Sequence, residues 1–467
     1  MKCTNINELF YKVINNDYCS GCGVCASVKD SHLKMQIDEN GKYRPFLDNS
    51  GNSGNNVDVL SICPFYNNER NEDIIGKKLF ERVDDIKHNK YIGYYLKNFA
   101  GYVNVGDYRK NGSSGGMGSW ISSKLIELGL IDAIIHVKQT KDLDEKVLFN
   151  YQVSKNLNEI SEGGKSKYYP VEMSEVIKYI KENEGRYALV GVPCFIKAIR
   201  LLSEKDEVVS KRIKFTIGLV CGHLKSEMFA KSIGWQMGIH PNDIRSIDFR
   251  VKIENCASSN YGVKVVGEVN KSELIKESPT RLLYMTNWGE GMFKYKSCDY
   301  CDDVLAETAD ITIGDAWIPE YTNDSMGTNI IVVRNSQIMN IINKYRDELF
   351  LEELSEEKIF ESQAGGFRHR REGLSYRLYL TDKKNQWRPK KRVDAENSIN
   401  KNRKKIYENR IKIYEESFRG YKLAEKSNNF NDFISYMNPI INHYKRLIHG
   451  PLIIRVLKKI KRVIVNE

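Results

Sequence analysis

No apolar run in this chain reaches the roughly 18–20 residues needed to cross a bilayer. The first residues, Met1 to Val13, lack a continuous apolar core ahead of a small-residue cleavage site, which argues against a secretory signal. A mean hydropathy of −0.50 and 28% charged residues point to a soluble, cytoplasmic protein whose thiols stay reduced. Neither a Gly-x-Gly-x-x-Gly fingerprint nor a P-loop Gly-Lys-Ser/Thr occurs, so the two common nucleotide cradles are excluded. No Ser/His/Asp or Cys/His arrangement stands out by spacing, which leaves triad chemistry without candidates. Aromatic residues are not interleaved with the basic ones as stacking platforms, and no nucleic-acid motif is found; nucleic acid is not an expected partner.

What is present is cysteine and one-sided charge. The 467 residues, enough for two or three domains, include ten cysteines and carry a net charge of +11. From Lys383 to Glu467, 22 Lys/Arg face 8 Asp/Glu, a net +14, so the remainder is at −3. Any argument about charge and partners therefore concerns the tail alone. Ten cysteines in a reducing compartment read as metal or redox ligands rather than disulfides.

Cys19, Cys22 and Cys25 are spaced Cys-x-x-Cys-x-x-Cys with small residues between them. Three thiolates so spaced can wrap one face of a cubane cluster, with Gly21 and Gly23 allowing close approach. Cys63 in Ile62-Cys63-Pro64 supplies the fourth ligand, although 37 residues lie between it and Cys25. That insert reads as a hairpin, Leu33 to Ile37 turning at Asp38–Gly41 and returning from Lys42 to Leu47, followed by a polar loop from Gly51 to Asn56. Zinc is the competing ligand, but zinc sites favour two Cys-x-x-Cys pairs far apart. Cys3 reads as a spare thiol.

A second set is dispersed. Ala188 to Gly191 reads as a strand that turns into a helix at Pro193-Cys194, where the helix N-terminus is expected to lower the thiol's pKa. Lys214 to Val220 repeats the design with Cys221-Gly222-His223 at its end and a helix from Ser226 to Met237. Two strand ends tipped by cysteine bring both thiols to one rim of a sheet, the rim where function collects. The stretch Ser297 to Trp317 adds Cys298 and Cys301 ahead of a strand at Ile311–Ile313. Together these four thiols make the number a second cubane needs. Buried apolar thiols are the alternative. His223 is the candidate for proton donation or cofactor contact, with a structural role as the alternative. Cys256 has no partner nearby in sequence.

Two loops have the composition of phosphate contacts. Asn111 to Gly116 contains Ser113, Ser114, Gly115 and Gly116 and runs into a helix from Met117 to Leu128, flanked by strands at Tyr102–Val105 and Ile131–Val137. A helix N-terminus with free N–H groups suits a phosphate or pyrophosphate. Gly163 to Pro170 contains Lys165, Ser166, Lys167 and Tyr168, cations for phosphates and a ring for packing. Either loop taken alone is equally an ordinary turn.

The ordered set of these pieces, from about Tyr18 to Val333, resembles the family of the beta subunits of coenzyme F-420 hydrogenases and dehydrogenases, iron–sulfur flavoproteins to which plant hydroxymethyl-chlorophyll reductase is also similar. The carrying motifs are the Cys19/Cys22/Cys25/Cys63 module, Ser113-Ser114-Gly115-Gly116, Lys165-Ser166-Lys167-Tyr168, Gly191-Val192-Pro193-Cys194, Cys221-Gly222-His223, Cys298-x-x-Cys301, Ala309 to Trp317 and Gly327-Thr328-Asn329. The resemblance implies FAD held by the Ser-Ser-Gly-Gly and Lys-Ser-Lys-Tyr loops, and a cluster on Cys194, Cys221, Cys298 and Cys301. Asp315, at the exit of its strand, is then expected to bond the cofactor or cap the next turn. Phe195 departs from the family, where Gln is frequent, and leaves the redox partner open.

The expectation is an α/β, mixed α+β protein: a ferredoxin-type 4Fe-4S module at 1–75, a central mixed-sheet body in two parts at 90–175 and 176–380, and a basic helical tail at 383–467. Its function is that of an FAD-dependent oxidoreductase with two 4Fe-4S clusters, passing electrons between a ferredoxin or similar redox protein and a small-molecule substrate or a deazaflavin coenzyme. The alternative is a non-catalytic electron-transfer or scaffold subunit. In the tail, Trp387 to Arg392 reads as a basic linker and Ser398 to Ala424 as a charged helix with few core positions. Pro451 to Val465 reads as a basic amphipathic helix, suited to an anionic membrane surface, to another protein or to its own body. Relatives with such tails resemble proteins of cell-surface polysaccharide synthesis, which favours a membrane-proximal place. Whether the chain forms a homo-oligomer is left open.

Overall fold

In the computed structural model, residues 5–48, 58–66, 69–141 and 147–449 are described. Cys3, the Gly51–Asn56 loop and the segment from Pro451 to Val465 lie outside them.

An eight-stranded mixed sheet carries the centre. Its strands run, edge to edge, Leu349–Glu353, Lys97–Val103, Asn329–Val333, Ile311–Asp315, Ile213–Leu219, Tyr187–Gly191, Ala133–Gln139 and Phe149–Ser154. The inner four from Ile311–Asp315 to Ala133–Gln139 are mutually parallel, and the flanking strands are antiparallel. Period-2 alternation splits their side chains between two cores. Ile134, Ala188, Ile217, Ile311 and Ile331 pack beneath the Met117–Glu127 and Ser336–Lys344 helices. Ala133, Ile135 and Leu189 pack against the Ser174–Glu182 and Pro193–Ser203 helices. The mixed α/β class read from the sequence is the class of this fold.

The hairpin also forms where expected, Leu33–Ile37 pairing antiparallel with Tyr43–Leu47. Gly21 and Gly23 have φ of +72° and +79°, in the left-handed region that favours glycine. The protein itself closes on both. A Cβ on Gly21 would lie 2.8 Å from the Tyr43 carbonyl oxygen, and one on Gly23 would run into the Glu172 carboxylate and lie 2.9 Å from the amide nitrogens of Met173 and Ser174. Gly23 is therefore where the N-terminal module docks on the central body, reinforced by the Met173 N–H donating to the Cys22 carbonyl at 3.0 Å. Gly23→Ala should cost roughly 1–3 kcal/mol, read as a lower urea midpoint. An unchanged midpoint would show that this contact yields freely.

The tail departs from its sequence reading. The helices Lys401–Ser427 and Phe430–His449 pair with each other and cover a three-stranded sheet, Ile244–Val251, Gly262–Val269 and Ser272–Pro279, together with the Glu227–Gln236 helix. Ile406, Tyr407, Ile413, Tyr414, Phe418, Tyr421 and Ala424 are all buried. The charges along Lys401–Ser427 hide an apolar stripe wide enough to be core.

Trp387 to Arg392 is likewise no solvated linker. Trp387 stacks on Tyr66 and meets Tyr18 edge-on at 5.6 Å, closing over the N-terminal module. Lys391 and Arg392 turn inward. Their side chains are only 5% exposed and reach the buried carboxylates of Asp302, Glu72 and Glu307.

Candidate functional site

Four of the cysteines meet at the C-terminal rim of the parallel strands. Cys194 sits in the first turn of the helix that begins at Pro193, directly after the Tyr187–Gly191 strand. Cys221 follows the neighbouring strand, whose Gly218 is in register with Gly191. Cys298 lies in the short turn Lys296–Tyr300, and Cys301 ends it. With Phe65, Pro193, Leu224, Ser297 and Arg370, these thiols line one small cavity. The Leu224 N–H donates to Cys298 Sγ at 3.2 Å, and the Arg370 guanidinium donates to Cys301 Sγ at 2.7 Å. Burial pushes the Cys298 thiol up to about 12. Cys194 also stands well above the usual thiol range, through burial first and then the other three cysteines. Desolvation thus overrides the helix N-terminus that was expected to lower it.

The N-terminal set also assembles. Burial raises the Cys25 thiol, and Cys22, Cys19 and Cys63 raise it further. Burial brings Cys22 to about 12. The Gly21 N–H donates to Cys19 Sγ at 3.3 Å. Cys194 joins the two sets: it packs against the apolar cluster holding Cys19, Cys25, Cys63 and Cys301, and the charge of Cys22 reaches it. Among the described residues, no three His, Cys, Asp or Glu side chains converge as ligands of one ion would. Cys256 stands apart as a half-buried free thiol.

The two Ser/Gly loops come together around a guanidinium. Arg250, 3% exposed, donates to both carboxylate oxygens of Asp315 at 3.0 and 3.1 Å, to Tyr168 Oη at 3.2 Å and to the Ser113 carbonyl at 3.1 Å. Burial opposes its charge, but Asp315 outweighs it and holds Arg250 well above its ordinary range. The loops touch directly, the Ser166 N–H donating to Ser113 Oγ at 2.8 Å. Ser114 donates to the Thr328 carbonyl at 2.9 Å. A Cβ on Gly115 would lie 2.6 Å from the Gly101 carbonyl oxygen, and Gly116 has φ of +85°. The loop lysines are engaged within the chain: Lys165 pairs with Asp248, and Lys167 donates to the Lys165 carbonyl. Tyr168, Phe229, Phe249, Tyr261 and Trp288 wall an adjoining small pocket.

Residues 98–178 match the family model of the N-terminal part of the coenzyme F420 hydrogenase/dehydrogenase beta subunit, and residues 184–358 match the model of its C-terminal part. The chain belongs to this family. Both Ser/Gly loops and the four cavity cysteines lie within the matched residues; the N-terminal cysteines and the tail lie outside. Among curated proteins, the chain is 22% identical over 353 residues to the F subunit of the F(420)H(2) dehydrogenase of Methanosarcina mazei, covering 72% of this chain and 85% of that protein. It is 23% identical over 244 residues to an uncharacterized protein of Methanocaldococcus jannaschii, covering 51% of this chain and 80% of that one. A chain in the structure titled "Xenon derivatization of the F420-reducing [NiFe] hydrogenase complex from Methanosarcina barkeri" aligns with a TM-score of 0.47 and 15% identity, over 64% of this chain and 98% of that one.

Within this family member, His223 lies between the two sites. Its ring packs on Trp288 at 4.5 Å, and Trp288 meets Tyr168 edge-on at 4.7 Å. Its Nε2 is buried without a hydrogen-bond partner among the described residues. Burial, then Lys225 and Lys294, hold it well below the usual imidazole range, so it is neutral. Arg250 and Arg370 were not picked out by the sequence reading. For Arg250 a signal existed: an arginine beside Phe249 in a strand whose neighbours on both sides read as core.

Proposed function

We propose that this chain is an FAD-dependent iron–sulfur oxidoreductase subunit with two 4Fe-4S clusters. It would exchange electrons with a ferredoxin-like redox protein on one side and a small-molecule substrate or deazaflavin coenzyme on the other. The observation that carries the reading is the convergence of Cys194, Cys221, Cys298 and Cys301 on one cavity. A single ion needs ligands meeting at a point, about 2.3 Å from each sulfur, whereas a cubane needs thiolates spread around a volume. The donor set is all sulfur and sits in a buried wall, which fits a cluster. Cys19, Cys22, Cys25 and Cys63 fit the same group, and Cys194 stands against both sets, so the two would be neighbours.

The Arg250 environment suits a flavin. Its buried Nε is without a partner among the described residues, and the aromatic-walled pocket beside it offers ring faces. When bound, a flavin supplies the exchange between two-electron substrates and one-electron carriers. Ser113, Ser114, Gly115 and Gly116 would hold it from the helix N-terminus. Lys165 and Lys167 would release Asp248 and the Lys165 carbonyl to face its phosphates, with Ser166 and Tyr168 beside them. Asp315 keeps Arg250 charged and in place. His223, neutral and with a bare nitrogen, can offer a hydrogen bond to a bound cofactor between the two sites.

A non-catalytic electron-transfer role is the second reading, favoured by the relative named as one subunit of a dehydrogenase. Among the described residues no helix is long and apolar enough to cross a membrane.

Anaerobically purified protein should contain about eight irons and eight sulfides per chain, little zinc, and one FAD released on heating. Zinc without sulfide would sink the redox reading. Full cofactor content with no turnover by any donor, and stable co-purification with a catalytic protein, would select the second reading.

A further inference from the structure

Arg370 closes the helix Ala364–Arg370 and is 1% exposed. Its guanidinium lines the cavity of Cys194, Cys221, Cys298 and Cys301. It donates to Cys301 Sγ at 2.7 Å, to the Cys221 and Gly222 carbonyls at 2.8 and 2.9 Å, and to the Asp303 carbonyl. Among the described residues no carboxylate lies within ion-pair distance of it, unlike Arg250, Arg377 or Arg392. Its Nε also lacks a partner among the described residues. A buried charge without a counter-charge is costly, because it keeps its desolvation penalty with nothing to offset it. The arrangement makes physical sense when the cavity itself is negative. Four thiolates around a cluster core provide that charge, and the guanidinium already points at one of their sulfurs.

We propose that Arg370 is the fixed counter-charge of the cavity cluster and sets its reduction potential. The inference rests on the cluster reading above. Reduction adds one electron to the cluster and makes it more negative. A permanent cation and a charge-assisted N–H donor on a ligand sulfur stabilise the reduced form more than the oxidised one. The cavity cluster is therefore held at a higher potential than its four thiolates alone would give. The N-terminal thiols, by contrast, draw their hydrogen bonds from backbone N–H groups and the Ser20 hydroxyl.

The test is a redox titration of the full chain followed by electron paramagnetic resonance. The Cys298→Ala protein assigns the signal of the N-terminal cluster. Arg370→Gln keeps the size and the polar donors and removes the charge. It should keep its iron and lower the cavity cluster's reduction equilibrium by tenfold or more, which is about 59 mV for one electron, while the N-terminal signal stays put. Arg370→Lys should restore at least part of the shift. Full iron with unmoved potentials would overturn the proposal. If Arg370→Gln loses about four irons, Arg370→Lys decides. Restored iron with a potential within a tenfold equilibrium change of wild type supports the counter-charge, and loss in both variants overturns it in favour of a purely structural role. Failure of the cluster reading itself would look different, as wild-type protein with about four irons and a Cys298→Ala variant with the same number.

Discussion

The Cys298→Ala protein, purified without oxygen, is expected to hold about four fewer irons per chain than wild type. Cys298 is 5% exposed and lines the cavity with Cys194, Cys221 and Cys301. Its sulfur accepts the Leu224 N–H at 3.2 Å, which would help orient the thiolate. Burial that keeps the bare thiol protonated has to be overcome by the metal, and four bonds do so where three leave an iron open to solvent and loss. Cys19→Ala should remove a similar amount from the N-terminal set, and the double variant nearly all. Cys256→Ala should change nothing, since Cys256 lies in neither set. If Cys298→Ala keeps its iron while Cys19→Ala loses it, the chain has only the N-terminal cluster. The cavity would then be a pocket of buried thiols.

The rim of the central sheet was legible because its grammar is local. Strand, turn and helix at Ala188–Ala198, repeated at Lys214–Met237, fix where Cys194 and Cys221 must lie once parallel pairing is assumed. The pairing of Cys298 and Cys301 with them came from counting thiols, and the fold brings all four to one wall. The loops Ser113–Gly116 and Lys165–Tyr168 were marked by composition, but their organiser was not. Arg250 is distant from both in sequence, and its role depends on a three-stranded sheet that no short motif announces. The tail was misread for a related reason. In Lys401–Ser427 the buried positions are tyrosines, a serine and a glycine as much as aliphatic residues, so composition hides the stripe. At Lys391-Arg392 the signal was elsewhere in the chain. Asp299, Asp302 and Asp303 are interleaved with Cys298 and Cys301, and carboxylates carried into a buried metal loop must find cations. Lys294 and Arg377 serve Asp299, and Lys391 and Arg392 serve Asp302.

That pairing gives the other large effect. Arg392→Ala should destabilise the protein by about 3–5 kcal/mol, the usual consequence of removing one partner from a buried ion pair. Arg392 Nη1 lies 2.7 Å from Glu307 and 2.7 Å from Asp73, and its Nε lies 3.4 Å from Asp302 and 3.6 Å from Glu72. Asp302 and Glu307 are almost wholly buried, at 1% and 2% exposure. Burial pushes the Asp302 carboxyl up, yet Lys391, Arg392 and Lys197 outweigh it and hold it ionised well below the usual range. Without the guanidinium these carboxylates keep their desolvation and lose much of their compensation. Lys391 reaches Asp302 only at 3.6 Å, so it cannot replace the fork. Asp302 follows Cys301 directly, so the cavity cysteines should loosen with it, and iron retention after mild urea should fall alongside the midpoint. Because the pairs are buried, salt up to about 1 M should leave the gap between the Arg392→Ala and wild-type midpoints nearly unmoved, in contrast to surface pairs. Arg186→Ala supplies the comparison. Its pair with Asp132 is short at 2.6 Å but about half exposed, and its loss should move the midpoint far less than the loss of Arg392 does. Equal effects from the two variants would mean that Arg392 is better hydrated than its burial implies, and that the tail merely lies against the cysteine loop instead of locking it.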